Sequence, residues 1–235
     1  MLKLLIVQSL PNIVSLLSIS LYQVIDSIFI GKYLGETGLA AQGIFSAIEY
    51  LLCTSLPVAF SIGAVTMISP ALSTKDIKQA DNELTQFLYQ ALMYIVLIPV
   101  VFLPWYESLL RILGCQDGEM MRLAKQYSFC LLLFGPLIYF PNGGFLPLFR
   151  CENRATVAMC VQVTSSILTL IIDIILFPSV GTKLELYTAV IATAGSLTIT
   201  GLYTCLNYFG AIKGSVMHFA KRIKPKCKSI SVIII

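Results

Sequence analysis

The stretch LYQVIDSIFIGKYLG, residues 21–35, sets one carboxylate, Asp26, in a run that is otherwise predominantly apolar from Leu4 onward. A helix needs about 20 such residues to cross a bilayer, and this run supplies them. A charge at mid-bilayer costs at least about 2.5 kcal/mol on insertion scales, so a carboxylate kept there faces a polar cavity or a partner. Reading the stretch as a membrane helix that carries a working acid decides the fold.

The rest of the chain has the same character. Of 235 residues, 57% are hydrophobic and 12% charged, with a mean hydropathy of +0.85, which is too apolar for a soluble domain. The charges gather in short clusters that separate six apolar runs, at 4–30, 38–72, 84–106, 124–149, 155–178 and 186–212. These runs are continuous and rich in Leu, Ile and Val, whereas barrel strands would alternate over about ten residues. The expected fold class is therefore all-α, a polytopic six-helix transmembrane bundle over 1–212, with the second helix running past the membrane. Residues 213–235 are expected to form either a basic cytoplasmic tail or the start of a truncated seventh helix. The first run is too long for a signal peptide and ends in no cleavage site, so it is expected to be retained.

Charge asymmetry orients the bundle. With the N-terminus in the cytoplasm, the inner segments hold Lys3, Lys75, Lys78, Arg150, Arg154, Lys213, Lys221, Arg222, Lys224, Lys226 and Lys228. The outer segments hold only Lys32, Arg111, Arg122, Lys125 and Lys183, as the positive-inside rule requires. A multi-pass protein of the plasma membrane with both ends cytoplasmic is expected. The net charge of +4 is then topological, and no nucleic-acid partner is implied. The tail AKRIKPKCKSISVIII, residues 220–235, either contacts anionic membrane lipid or is an ordinary inner loop ahead of a further span.

Seven cysteines show no CxxC pair and no His cluster, so neither a metal site nor a disulfide framework is expected. No GxxxxGK[ST], GxSxG or HExxH motif is present, which points away from enzymatic and cofactor chemistry. The lone His218, in the tail, reads as solvated.

Only three acids fall well inside the runs: Asp26, Glu49 and Asp173. Spans one and five run in the same direction, and Asp26 lies five residues before Gly31 as Asp173 lies five before Pro178. At 1.5 Å per residue both carboxylates sit roughly 7 to 8 Å inside the outer helix ends, where they can share one cavity. Each has a hydroxyl at i−4 on its own face, Tyr22 below Asp26 and Thr169 below Asp173. Two carboxylates in one cavity, with hydroxyl donors nearby, suit reversible protonation. The bland alternative is local pairing with Ser27, Lys32 or Lys183. Glu49, in SAIEYLLC (46–53), has no comparable partner on its face and reads either as a helix–helix hydrogen bond or as a substrate contact. Glu49 and Asn142 are candidates for lining a substrate cavity. Of the prolines within spans (Pro11, Pro57, Pro99, Pro136, Pro141 and Pro147), Pro11 shares a helix with Asp26, so a bend there can respond to the charge on Asp26.

The segment LPNIVSLLSISLYQVIDSIFIGKYLGETGLAA (10–41) resembles the first helix and loop of multidrug and toxic compound extrusion (MATE) transporters. The resemblance continues through GAVTMISPALSTKDIKQA (63–80), LPLFRCENRATVAM (146–159) and YTAVIAT (187–193). It implies a twelve-helix antiporter of two six-helix lobes that exports organic cations or drugs against a proton or sodium gradient, of which this chain is similar to the N-terminal lobe. It also implies that Asp26 and Asp173 form the cation site, with Tyr22 and Thr193 as neighbours, and that Pro11 matches the proline whose bend follows protonation. Thr169 stands where the family often has Asn, which removes an amide oxygen and disfavours sodium more than protons. Asn153 replaces the Gly usual after the fourth-helix Arg and tolerates a left-handed turn. Ser73 and Thr74 stand where a Gly-bearing helix end is common. No second lobe is present in the sequence, although alternating access uses two bundles. The expected function is thus an antiporter lobe with a proton, less readily sodium, as coupling ion. The alternative is a truncated or degenerate membrane protein without transport of its own, or one acting only as the partner of a second lobe or a second copy of itself.

Overall fold

The structure, a computed structural model, describes residues 2–115 and 118–208, and the side chains of 9–115, 118–180 and 185–208. The expected tail 213–235, His218 and the last residues of the sixth run, 209–212, lie outside them. Among the described residues all regular structure is helical: α1 (Leu2–Glu49), a π-helical segment (Tyr50–Ser55), α2 (Leu56–Ser73), α3 (Ile77–Phe102), a 3-10 turn (Leu103–Trp105), α4 (Tyr106–Ile112), α5 (Glu119–Cys151), α6 (Ala155–Leu184) and α7 (Tyr187–Tyr208). The all-α expectation holds.

Five helical stretches are long and apolar enough to cross a membrane, where the sequence predicts six: Ser9–Ser73, Ile77–Ile112, Glu119–Cys151, Ala155–Val180 and Tyr187–Tyr208. The difference lies in the first, whose 65 residues would extend about 98 Å if straight, three times the hydrocarbon thickness of about 30 Å. It is not straight. Gly35 takes φ 68 and ψ −166, a conformation open essentially to glycine alone. Seven residues beyond it, Gln42 Nε2 donates to Asp26 Oδ2 at 3.2 Å, a pairing of residues 16 apart that a straight helix would hold about 24 Å apart. The chain therefore doubles back at Gly35, and the stretch supplies two antiparallel arms. The reversal takes a single non-helical residue, where the sequence predicts a gap between 30 and 38.

The loops at the opposite end use left-handed residues. Lys75, with φ 61, follows Ser73 and Thr74, and Asp76 then caps α3 by accepting from the Gln79 amide at 3.1 Å. Asn153, with φ 60, turns the chain from α5 into α6 as its tolerance of that region allows.

Helix α5 is the hub, packed on α1, α2, α3, α6 and α7. Aromatic rings fill its flanks: Phe140 lies 5.4 Å from both Phe87 and Tyr94, and Tyr208 lies 5.3 Å from Phe145 and 5.1 Å from Phe149. Small residues let α7 close in, since a Cβ on Gly201 would stand 3.0 Å from Pro141 Cβ, and Thr204 Oγ1 donates to the Pro141 carbonyl at 2.9 Å. The outer faces carry exposed Leu16, Val96, Val100, Ile175 and Leu202, the surface a lipid tail requires.

Ion pairs sit at the helix ends. Arg122 grips Glu185 with two hydrogen bonds of 2.7 Å, tying the α6–α7 turn to the start of α5, and Lys125 pairs with Glu107 at 2.9 Å. The Arg122 guanidinium beside Glu185 holds that carboxyl below the usual carboxylate range. At the other end Arg154 reaches Glu152 at 3.5 Å and Asn207 at 3.3 Å while lying 5.1 Å above the Phe149 ring.

Candidate functional site

Two helices bring the aspartates together. The first arm of α1 packs against α6, and Phe29 stacks on Phe177 at 5.5 Å with an interplanar angle of 18°. Phe29 follows Asp26 by three residues and Phe177 follows Asp173 by four, so the helices run parallel and each carboxylate stands one turn before its ring. Asp26 is 8% exposed and Asp173 is wholly buried, and each lies within electrostatic reach of the other.

Asp26 Oδ2 accepts from Gln42, but Asp26 Oδ1 and both oxygens of Asp173 have no hydrogen-bond partner among the described residues. Buried carboxylates are ordinarily paired or hydrogen-bonded, so three such oxygens in one place suit a proton or another small cation. Two of the three local partners are turned elsewhere: Ser27 Oγ donates to the Gln23 carbonyl at 2.9 Å, and Lys32 Nζ lies 5.6 Å from the Tyr33 ring centre. The Lys183 side chain is outside the described residues.

The other expected site residues divide. Tyr22 lies within electrostatic reach of Glu49, Asp26 and Asp173. Thr169, by contrast, does not serve Asp173: its hydroxyl donates to the Ser165 carbonyl at 3.0 Å and meets Ser196 Oγ at 2.6 Å. A helical threonine readily bonds back to its i−4 carbonyl, and that geometry aims Thr169 at α7. Ser196 in turn donates to the Thr193 carbonyl at 2.9 Å, which puts Thr193 one turn along the same junction. Asn142, 3% exposed, donates to Thr200 Oγ1 at 2.9 Å and Ser165 Oγ at 3.4 Å, tying α5 to both α6 and α7. Helix α1 passes through Pro11 with helical dihedrals, and its one break is at Gly35.

Glu49 acquires partners that no local pattern showed. Tyr127 and Tyr139 of α5 donate to its two oxygens at 2.8 Å and 2.9 Å, and the Gln42 side chain lies beside Tyr127. Glu49 also lies within electrostatic reach of Asp26. Gln42 thus stands between the two acids, its amide bonded to Asp26 and its side chain beside the Tyr127 that serves Glu49. Gln42, Tyr127 and Tyr139 are the site residues that sequence reasoning missed. Their signal was weak, since a polar residue pairs with Asp26 only once the chain reverses at Gly35.

Comparison with known proteins matches the chain to a family and to half of its larger members. The sequence model of the MatE family matches residues 11–175. Multidrug export protein MepA of Staphylococcus haemolyticus (strain JCSC1435) is 25% identical over 219 residues, covering 92% of this chain and 47% of that protein. An outward-facing structure of a multidrug resistance MATE family transporter of the MOP superfamily superposes with a TM-score of 0.85 at 26% identity, covering 97% of this chain and 50% of that one. An inward-facing structure of such a transporter gives a TM-score of 0.81 at 27% identity, covering 92% and 48%. The chain spans about half the length of the relatives it matches.

Proposed function

The chain belongs to the MatE family, and from that premise we propose that it forms one six-helix lobe of a secondary antiporter that exports organic cations, drugs among them, against protons. The observation that carries this reading is the buried pair Asp26 and Asp173, with three carboxylate oxygens that have no partner among the described residues. Membrane proteins do not keep such groups at rest without a use, and a proton that binds and leaves is the smallest use they can have. The name of the multidrug export relative supports a drug-like cargo.

Protons are favoured over sodium as the coupling ion. A sodium ion needs several oxygen ligands, yet the Thr169 hydroxyl is engaged by Ser165 and Ser196 and no amide oxygen stands at that turn. A proton needs only one carboxylate oxygen. The test is efflux of ethidium from proteoliposomes containing the chain, driven in turn by a proton and by a sodium gradient. Efflux on the proton gradient, lost in Asp26→Asn and Asp173→Asn, is expected; efflux unchanged in both variants overturns the reading.

A second reading is supported by the half-length match: the lobe transports only when joined by a second six-helix lobe or by a second copy of itself. Alternating access in such folds rocks one bundle against another about a central site. Transport that appears only when a second lobe is co-reconstituted would establish it. The distribution of Lys and Arg supports a multi-pass orientation with the N-terminus inside, and the plasma membrane is the location proposed.

A further inference from the structure

The acids of this lobe differ in access. Asp173 is wholly buried and Asp26 is 8% exposed, so only a proton or a bare small cation can reach their oxygens without opening the helices. Glu49 is only half-buried, and so are its neighbours Tyr22, Gln42 and Tyr139. Its carboxylate is anchored by two phenol hydroxyls, one on each oxygen. A carboxylate held by two neutral phenols, with no Lys, Arg or His bonded to it among the described residues, keeps its charge uncompensated and matches an organic cation.

We propose that Glu49, held between Tyr127 and Tyr139, is the contact for the cationic nitrogen of the exported molecule, while the coupling cation is confined to Asp26 and Asp173. This rests on the antiporter reading and adds a division of labour to it. The two sites communicate through Gln42, which donates to Asp26 at 3.2 Å and lies beside Tyr127, the donor to Glu49 at 2.8 Å. An organic cation at Glu49 competes with Tyr127 for the carboxylate and releases the phenol, which disturbs the Gln42 bridge to Asp26. Like charges in one low-dielectric lobe also repel, so a cation at either acid weakens the hold on a cation at the other, and binding of one favours departure of the other. That reciprocal displacement is what exchange requires.

The experiment uses the whole chain purified into lipid nanodiscs, with ethidium as the probe. Fluorescence anisotropy is expected to show binding to the wild type, weakened about tenfold or more in Glu49→Gln and unchanged in Glu185→Gln at the outer turn. A second measurement needs no variant: dicyclohexylcarbodiimide modifies protonated carboxyls in apolar surroundings, and peptide mass mapping then shows which acids ethidium shields. Modification of Glu49 by the carbodiimide that ethidium suppresses supports the assignment. Ethidium binding that survives intact in Glu49→Gln, or Glu49 modified as fast with bound ethidium as without it, overturns it and leaves the antiporter reading standing. A wild-type chain that binds no ethidium overturns the Glu49 assignment, and the efflux assay decides the antiporter reading by itself. If Glu49→Gln aggregates, the shielding pattern of the wild type decides.

Discussion

Phe29 of α1 and Phe177 of α6 stack with ring centres 5.5 Å apart, and one turn before each ring stands a buried aspartate. The rings do more than hold two parallel helices together. They put an apolar plug beside Asp26 and Asp173, lowering the local dielectric and strengthening every electrostatic effect between the two carboxylates. Tyr33 adds a third ring, 5.7 Å from Phe177.

Asp173 is kept at a cost to stability. Both of its oxygens are buried without a partner among the described residues, and apolar replacement of uncompensated buried charge is generally stabilising. Asp173→Leu is expected to raise the thermal midpoint of the detergent-solubilised chain, by an amount equivalent to about 1–3 kcal/mol, and to abolish proton-driven efflux. A lowered midpoint would show that the carboxylate has a stabilising partner after all.

Gly35 makes the reversal in α1 with φ 68 and ψ −166, and a Cβ there would meet nothing within 4 Å. The cost of Gly35→Ala is therefore backbone strain alone, about 1–3 kcal/mol. The variant should unfold at lower temperature, and the Gln42 bond to Asp26 should be lost with the turn. Equal stability in a thermal melt would mean that the turn forms by another route.

Gly201 is constrained by contact, since its Cβ would stand 3.0 Å from that of Pro141. Gly201→Leu forces α7 off α5 and breaks the Thr204 bond to the Pro141 carbonyl, costing about 1–3 kcal/mol by overpacking. Gly201→Ala should cost less, and the ordering Gly, Ala, Leu in melting temperature checks it.

The Arg122–Glu185 clasp predicts a pH dependence outside the spans. Its partner holds the folded-state carboxyl of Glu185 below the unfolded value, so the contribution to stability is present above the unfolded pKa of about 4.3 and fades as pH falls through the lower folded value. Glu185→Gln should therefore lower the melting temperature slightly near neutral pH and leave it unchanged at about pH 3. The pair is half-exposed, so the effect is small and shrinks further in high salt.

The membrane class, the approximate spans and the three interior acids were legible in the chain alone, because hydropathy and the scarcity of charge are local properties of sequence. The parallel depth of Asp26 and Asp173 was legible too, since it follows from span direction and residue spacing. What only the tertiary structure decided was which polar group meets which. Glu49 takes its two hydrogen bonds from residues 78 and 90 positions away, and Gln42 reaches Asp26 only because one glycine reverses the helix between them. Thr169, placed beneath Asp173 by periodicity, turns instead to Ser196 on the neighbouring helix. Periodicity says which face of a helix a side chain occupies. Which partner waits on that face depends on the packing of distant segments, where a buried hydroxyl takes the nearest acceptor rather than the one its sequence position suggests.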